Sequence, residues 1–182
     1  MRKLSLIIVI TLLLSGCSTG EKTPTLAIGD IPSCDQIDTS KVTTKTLQMQ
    51  CLDGSSAINF HSIKGPIIVN VWASWCEGCK DEMPFFVELY ESPKFRTGEF
   101  KLLGVNVEAS SVDAAKRFIK AYDMRWPHLV DSDGRSKGLF GPGVPVTWFI
   151  DKRGEVVETM IGAYLNKEQL FTQVEKAFKV KS

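Results

Sequence analysis

The chain has 182 residues, 43% of them hydrophobic and 24% charged, which are the proportions of one globular domain rather than a fibre or a disordered tail. Its 22 Lys and Arg nearly balance 21 Asp and Glu, for a formal net charge of +1, and no basic stretch supplies the electrostatic footprint of a nucleic-acid binder. Five cysteines are too few for a disulfide-stapled miniprotein, and a chain this long buries a core without staples, so each cysteine needs its own reason.

Arg2 and Lys3 precede a largely apolar stretch over 4–14, whereas crossing a bilayer takes ~20 apolar residues; the stretch reads as the hydrophobic part of a secretory signal. The following Leu14-Ser15-Gly16-Cys17 resembles the lipobox of bacterial lipoproteins, in which the signal is cut before the cysteine and that cysteine receives a lipid. The resemblance implies a signal peptide over 1–16, lipidation of Cys17, and anchoring to the outer face of the cytoplasmic membrane. The alternative is an ordinary cleavable signal with an incidental cysteine. Residues 17–32 are dominated by Ser, Thr, Gly, Glu, Lys and Pro and read as a flexible tether. With no internal repeat, the rest is expected to be one domain over 33–182, monomeric by default.

Within that domain the pattern alternates strands and helices. Leu47 to Cys51 and Ala57 to Phe60 flank Asp53-Gly54, which predicts a hairpin, and Pro66 to Trp72 reads as a buried central strand. A helix is expected from Cys76. Phe100 to Val107 predicts a second buried strand, and 111–122 a helix with Val112, Ala115, Phe118 and Ile119 on one face. His128 to Val130 is a short strand. Val146 to Ile150 and Glu155 to Ile161 form a hairpin around Asp151-Lys152-Arg153-Gly154, and Asn166 caps a last helix carrying Leu170, Phe171, Val174 and Phe178. The class is α/β with a mixed sheet.

The segment Trp72-Ala73-Ser74-Trp75-Cys76-Glu77-Gly78-Cys79-Lys80 puts two thiols three residues apart at a strand-to-helix junction. Unpaired N–H groups and the helix dipole favour a thiolate at the first position, and only a thiolate attacks a disulfide. Cys76 is therefore the expected nucleophile. Cys79, one turn later, resolves the mixed disulfide formed on Cys76. Taken alone, a CxxC is equally half a zinc site or a static bridge.

With its neighbours the motif resembles the thioredoxin superfamily, and within it the membrane-tethered TlpA/ResA-like oxidoreductases, over roughly 45–180. The resemblance rests on the strand Ile67-Ile68-Val69-Asn70-Val71, the Trp-Ala-Ser-Trp-Cys run at 72–76, Pro84, and Gly143-Val144-Pro145 before Thr147-Trp148. It implies a thioredoxin-like fold: a central mixed sheet flanked by helices, an N-terminal hairpin, and a TlpA-type helix-strand insertion over 110–131. It also implies a cis Pro145 against the CxxC, with Val144 pairing to an extended substrate, and Trp75 lining the substrate groove. Trp72, Trp126 and Trp148 are expected in the core. Glu82, three residues after Cys79 on the same helical face, aligns with a glutamate of the ResA-like branch and is the candidate proton acceptor for Cys79. It is otherwise a solvated acid on a surface helix. Asn70 occupies the position of an acid in ordinary thioredoxins and cannot accept a proton, and Gly78 stands where relatives commonly have proline.

With Cys17 set aside, four thiols allow three pairings. Cys76 with Cys79 and Cys34 with Cys51 suits the spacing, and related exported proteins sometimes carry such an additional bridge, which favours a structural disulfide at Cys34–Cys51. A second redox pair and a four-cysteine zinc site remain open. His61 and His128 have no partner at metal spacing and are assigned no role; no metal and no cofactor beyond the Cys76–Cys79 disulfide is expected. The function implied is an exported, lipid-anchored thiol–disulfide oxidoreductase that reduces disulfides in exported proteins. A common substrate in the family is apocytochrome c, and a membrane electron-donor protein supplies the electrons. A dithiol oxidase would use the same residues and a redox-silent chaperone only the fold, whereas copper-delivery relatives space their cysteines by three and add a histidine ligand, against a spacing of two and no obvious histidine here. A peroxidase of the same fold would need Pro and Thr where Val69 and Ala73 stand.

Overall fold

The computed structural model describes residues 31–40, 43–107 and 111–179. The expected signal peptide and Cys17 lie outside the described residues. The seven strands are β1 (Gln48–Cys51), β2 (Ala57–Asn59), β3 (Ile67–Trp72), β4 (Lys101–Val107), β5 (His128–Asp131), β6 (Val146–Ile150) and β7 (Val156–Ile161). Among the described residues four α-helices accompany them: α1 (Glu77–Glu91), the single turn α2 (Pro93–Arg96), α3 (Val112–Ala121) and α4 (Lys167–Phe178). The strands make one sheet in the order β2-β1-β5-β4-β3-β6-β7. Its central three, β3, β4 and β5, are parallel, and the other pairings are antiparallel, so the sheet is mixed as the thioredoxin-like resemblance implies.

The two parallel crossovers explain where the helices lie. From β3 to β4 and from β4 to β5 the chain steps the same way across the sheet, and right-handed crossovers then deliver α1 and α3 to the same face. Met83, Phe86 and Leu89 of α1, Ala115, Phe118 and Ile119 of α3, and Leu170 and Val174 of α4 all bury against Ile68, Trp72 and Phe149. Ile67, Val69 and Val71, the alternate residues of β3, face the other way into a second core with Leu103, Val105, Phe60, Ile63 and Phe140. Among the described residues no long helix covers that side; the N-terminal segment and the loop through Phe140 do.

Ile31 is already in the core, because an apolar side chain next to the domain is driven into it whatever the composition of its neighbours. Val112 departs from its expected face and is exposed together with its neighbour Asp113 in the first turn of α3; Ser111 caps that turn by accepting from the Ala114 N–H. Trp72 and Trp126 are buried, whereas Trp148 is only half-buried. Among the described residues no helix is long and apolar enough to cross a membrane.

Candidate active site

β3 ends at Trp72, and after three intervening residues the chain turns into α1 with Cys76 as its N-cap. The Cys76 sulfur accepts the Cys79 N–H at 3.1 Å, one of the donors that a helix start leaves without an intrahelical partner. This is the local basis for a stabilised thiolate at Cys76. In the structure the two sulfurs are bonded to each other, with Cα atoms 5.3 Å apart. Cys76 is 5% exposed and Cys79 is not exposed at all, so an incoming thiol or disulfide meets Cys76 first.

The Val144–Pro145 peptide bond is cis. Pro145 packs beside the motif: a Cβ placed on Gly78 would lie 3.5 Å from Pro145 Cδ and 3.4 Å from Ala163 Cβ. The Pro145 carbonyl accepts the Gly162 N–H, which ties the turn after β7 to this corner. Val144 makes no backbone hydrogen bond among the described residues, leaving its polar groups available to an extended segment. Trp75 is 55% exposed beside Cys76. Glu77, on the solvent side, forms an ion pair with Lys80.

Glu82 is fully buried rather than solvated. Its Oε1 accepts from Asn70 Nδ2 at 2.8 Å, and its Oε2 accepts the Tyr164 N–H at 3.1 Å. Burial pushes its pKa up from 4.5 to about 7, the two hydrogen bonds opposing the shift. A carboxyl poised near neutrality on the helix that carries Cys79 is suited to holding the proton that resolution releases. From sequence, Asn70 reads only as a lost acid. In the fold it is a donor that orients Glu82, and Tyr164 contributes through its backbone, which no side-chain pattern announces.

Cys34 and Cys51 are bonded, with Cα atoms 6.1 Å apart, and both are buried on the sheet face opposite α1. His128 is buried in β5, and burial lowers its pKa to about 3, so it is neutral at physiological pH. His61 is exposed. Among the described residues no group of three or more His, Cys, Asp or Glu is placed to hold a metal ion.

A bonded CxxC at the head of a helix, on a mixed sheet with a cis proline packed against it, defines a thioredoxin-fold thiol–disulfide oxidoreductase. Comparison with known proteins agrees. The AhpC/TSA family model matches residues 41–159, and the chain belongs to that family. It is 34% identical over 121 residues to a thiol-disulfide oxidoreductase ResA of Bacillus cereus, covering 65% of this chain and 68% of that one. Among solved structures, StoA from Bacillus subtilis is 28% identical with a TM-score of 0.54, over 70% of this chain and 95% of that one. The fold is shared with MTB dsbF, solved in mixed oxidized and reduced forms, with a TM-score of 0.61 and 23% identity over 72% of this chain and 95% of that one.

Proposed function

We propose that the protein is an exported, lipid-anchored reductant of protein disulfides, with Cys76, Cys79 and Glu82 as its catalytic residues. The observation that carries the reading is the Cys76–Cys79 pair at the head of α1, with Pro145 against it and a buried carboxyl of raised pKa on the same helix. In the dithiol form, the Cys76 thiolate attacks one sulfur of a substrate disulfide, and the other substrate sulfur leaves as a thiolate. Cys79 passes its proton to Glu82 and attacks the Cys76 sulfur. The second substrate thiolate departs, the substrate has gained two electrons, and the protein is left as the disulfide. A membrane electron-donor protein then restores the dithiol. Val144 pairs with the substrate backbone, Pro145 fixes that edge, and Trp75 contacts the segment beside the attacked cysteine.

Glu77 supports the reductive direction, because its charge beside Cys76 disfavours the thiolate and makes the dithiol the better electron donor; Lys80 offsets part of that charge. The apolar stretch over 4–14 and the lipobox-like Leu14 to Cys17 support export and lipidation of Cys17 at the outer face of the cytoplasmic membrane. The natural substrates are then disulfides of exported proteins, the CxxCH pair of apocytochrome c among them.

Equilibrating the full chain with defined thiol–disulfide buffers, and following Trp72 and Trp75 fluorescence, gives the potential. A value near or below about −230 mV supports the reductant, and one near about −120 mV makes the protein an oxidant. Cys79→Ala should accumulate substrates as mixed disulfides on Cys76, and Cys76→Ser should accumulate none.

A further inference from the structure

Beside the redox pair, on the face of the sheet away from α1, lies a cavity of about 410 Å³. Its lining includes Trp75, Val71 from the end of β3, Val107 from the end of β4, and Phe140 and Val144 from the loop that leads to the cis proline. We propose that this cavity is a side-chain subsite that takes an aromatic residue of the substrate polypeptide, close in sequence to the cysteine that Cys76 attacks. The proposal rests on the reductase reading and adds to it the specificity of the same site.

The subsite is preformed. Phe140 stands edge-on to Phe60 at 5.2 Å and to Trp148 at 5.1 Å between ring centroids, so an aromatic cluster holds its position. The loop that walls the cavity is held at its start by Asp131, whose carboxylate accepts from the Arg135 and Ser136 backbone N–H groups and from the Ser136 hydroxyl. That carboxylate is thereby occupied and is not a feature for a polar ligand to recognise. Gly138, Gly141 and Gly143 contribute no side chains, and a Cβ at any of them would meet nothing within 4 Å, which keeps the space open.

The chemistry of the walls chooses the occupant. Two aromatic rings and three valines offer a largely apolar surface, and a ring pair adds offset or edge-on contact that an aliphatic chain lacks. Val144 belongs to both the cavity wall and the edge where an extended segment pairs. Successive side chains of such a segment point alternately to its two sides, so one near the attacked cysteine is directed at the cavity. Lys137, at the wall, makes no ion pair among the described residues and disfavours a basic neighbour there.

The test uses the reduced full chain and a set of short disulfide-bridged peptides in which the two positions on each side of the attacked cysteine are varied in turn among Phe, Trp, Ala and Lys. At one position kcat/KM for Phe or Trp should exceed that for Ala by roughly tenfold or more, which is the discrimination an apolar pocket gives for a group of this size. Val107→Phe, which fills the cavity, should collapse that ratio towards one, and Phe140→Ala, which removes a wall, should also reduce it. The ratio is internal to each protein, so a general loss of rate does not imitate the effect. Rates within twofold of one another at all four positions overturn the proposal, as does a preference that survives both substitutions. Hydroxyethyl disulfide separates the two readings. If it is reduced while the peptides are not discriminated, the subsite alone falls; if it is not reduced, the reductase reading falls and the subsite with it.

Discussion

Glu82 shows how one buried carboxyl ties chemistry to stability. Its pKa of about 7 against an ordinary 4.5 means that the folded protein keeps a proton the unfolded chain has already released across that window. The stability from the protonated carboxyl is therefore complete below about pH 4.5, declines as the pH rises through 7, and amounts to about 3 kcal/mol at ~1.4 kcal/mol per pH unit. Buried His128, neutral in the fold, gives the opposite slope below about pH 6.5, so the Glu82 contribution is read as the difference between the wild type and Glu82→Gln in urea unfolding of the oxidised protein from about pH 5 to 8; parallel profiles would remove Glu82 as the cause. In single-turnover reduction, Glu82→Gln should slow the step that releases substrate from Cys76 by about 100-fold, the lower range for a lost proton acceptor. It should also erase an inflection near pH 7 in that step. Asn70→Ala, which removes a hydrogen bond holding the pKa down, should move the inflection upward, and an unmoved inflection would show that Asn70 does not act on Glu82.

At the scale of elements, the packing of β4 on β5 depends on one glycine. Gly104 pairs with His128 across the two strands, and a Cβ at 104 would lie 1.9 Å from His128 Nδ1. The imidazole has no room to yield, being buried with Trp72 and Trp126 ring centroids 5.7 and 5.8 Å away. Gly104→Ala should therefore cost about 1–3 kcal/mol by overpacking, and adding His128→Ala should recover part of the loss, as a double-mutant cycle in urea would measure. Purely additive effects would show that the two residues do not compete for the space. The strands themselves were legible from apolar runs, but this constraint was not. A glycine in a strand pattern signals a close approach without saying which side chain approaches.

For the whole molecule, the Cys34–Cys51 bond joins the segment ahead of the sheet to β1, seventeen positions later in sequence. Replacing both cysteines by alanine should lower stability by about 3 kcal/mol on the chain-entropy account, while the Cys76–Cys79 pair continues to exchange with thiol buffers. A loss of exchange in a folded variant would show that the bridge also shapes the active site. The same scale explains why the redox pair is reached from one side. α1, α3 and α4 close one face of the sheet, so access to Cys76 is from the side of Trp75, Val144 and the open loop.

By itself the sequence determined the alternation of strands and helices, a helix starting at Cys76 and the CxxC, because these follow from periodicity and a local motif, while the Val144-Pro145 corner was legible through the family resemblance. The position of Glu82 one turn after Cys79 was also readable. That Glu82 is buried was not, because Asn70 comes from β3 and the Tyr164 N–H from the turn before α4. The pairing of Cys34 with Cys51 was one of several options on paper and needed β1 placed beside β5 with the N-terminal segment over it. The cavity beside Trp75 was invisible for the same reason. Its walls come from the ends of β3 and β4 and a glycine-rich loop, and only tertiary packing brings groups so far apart in the chain into one surface.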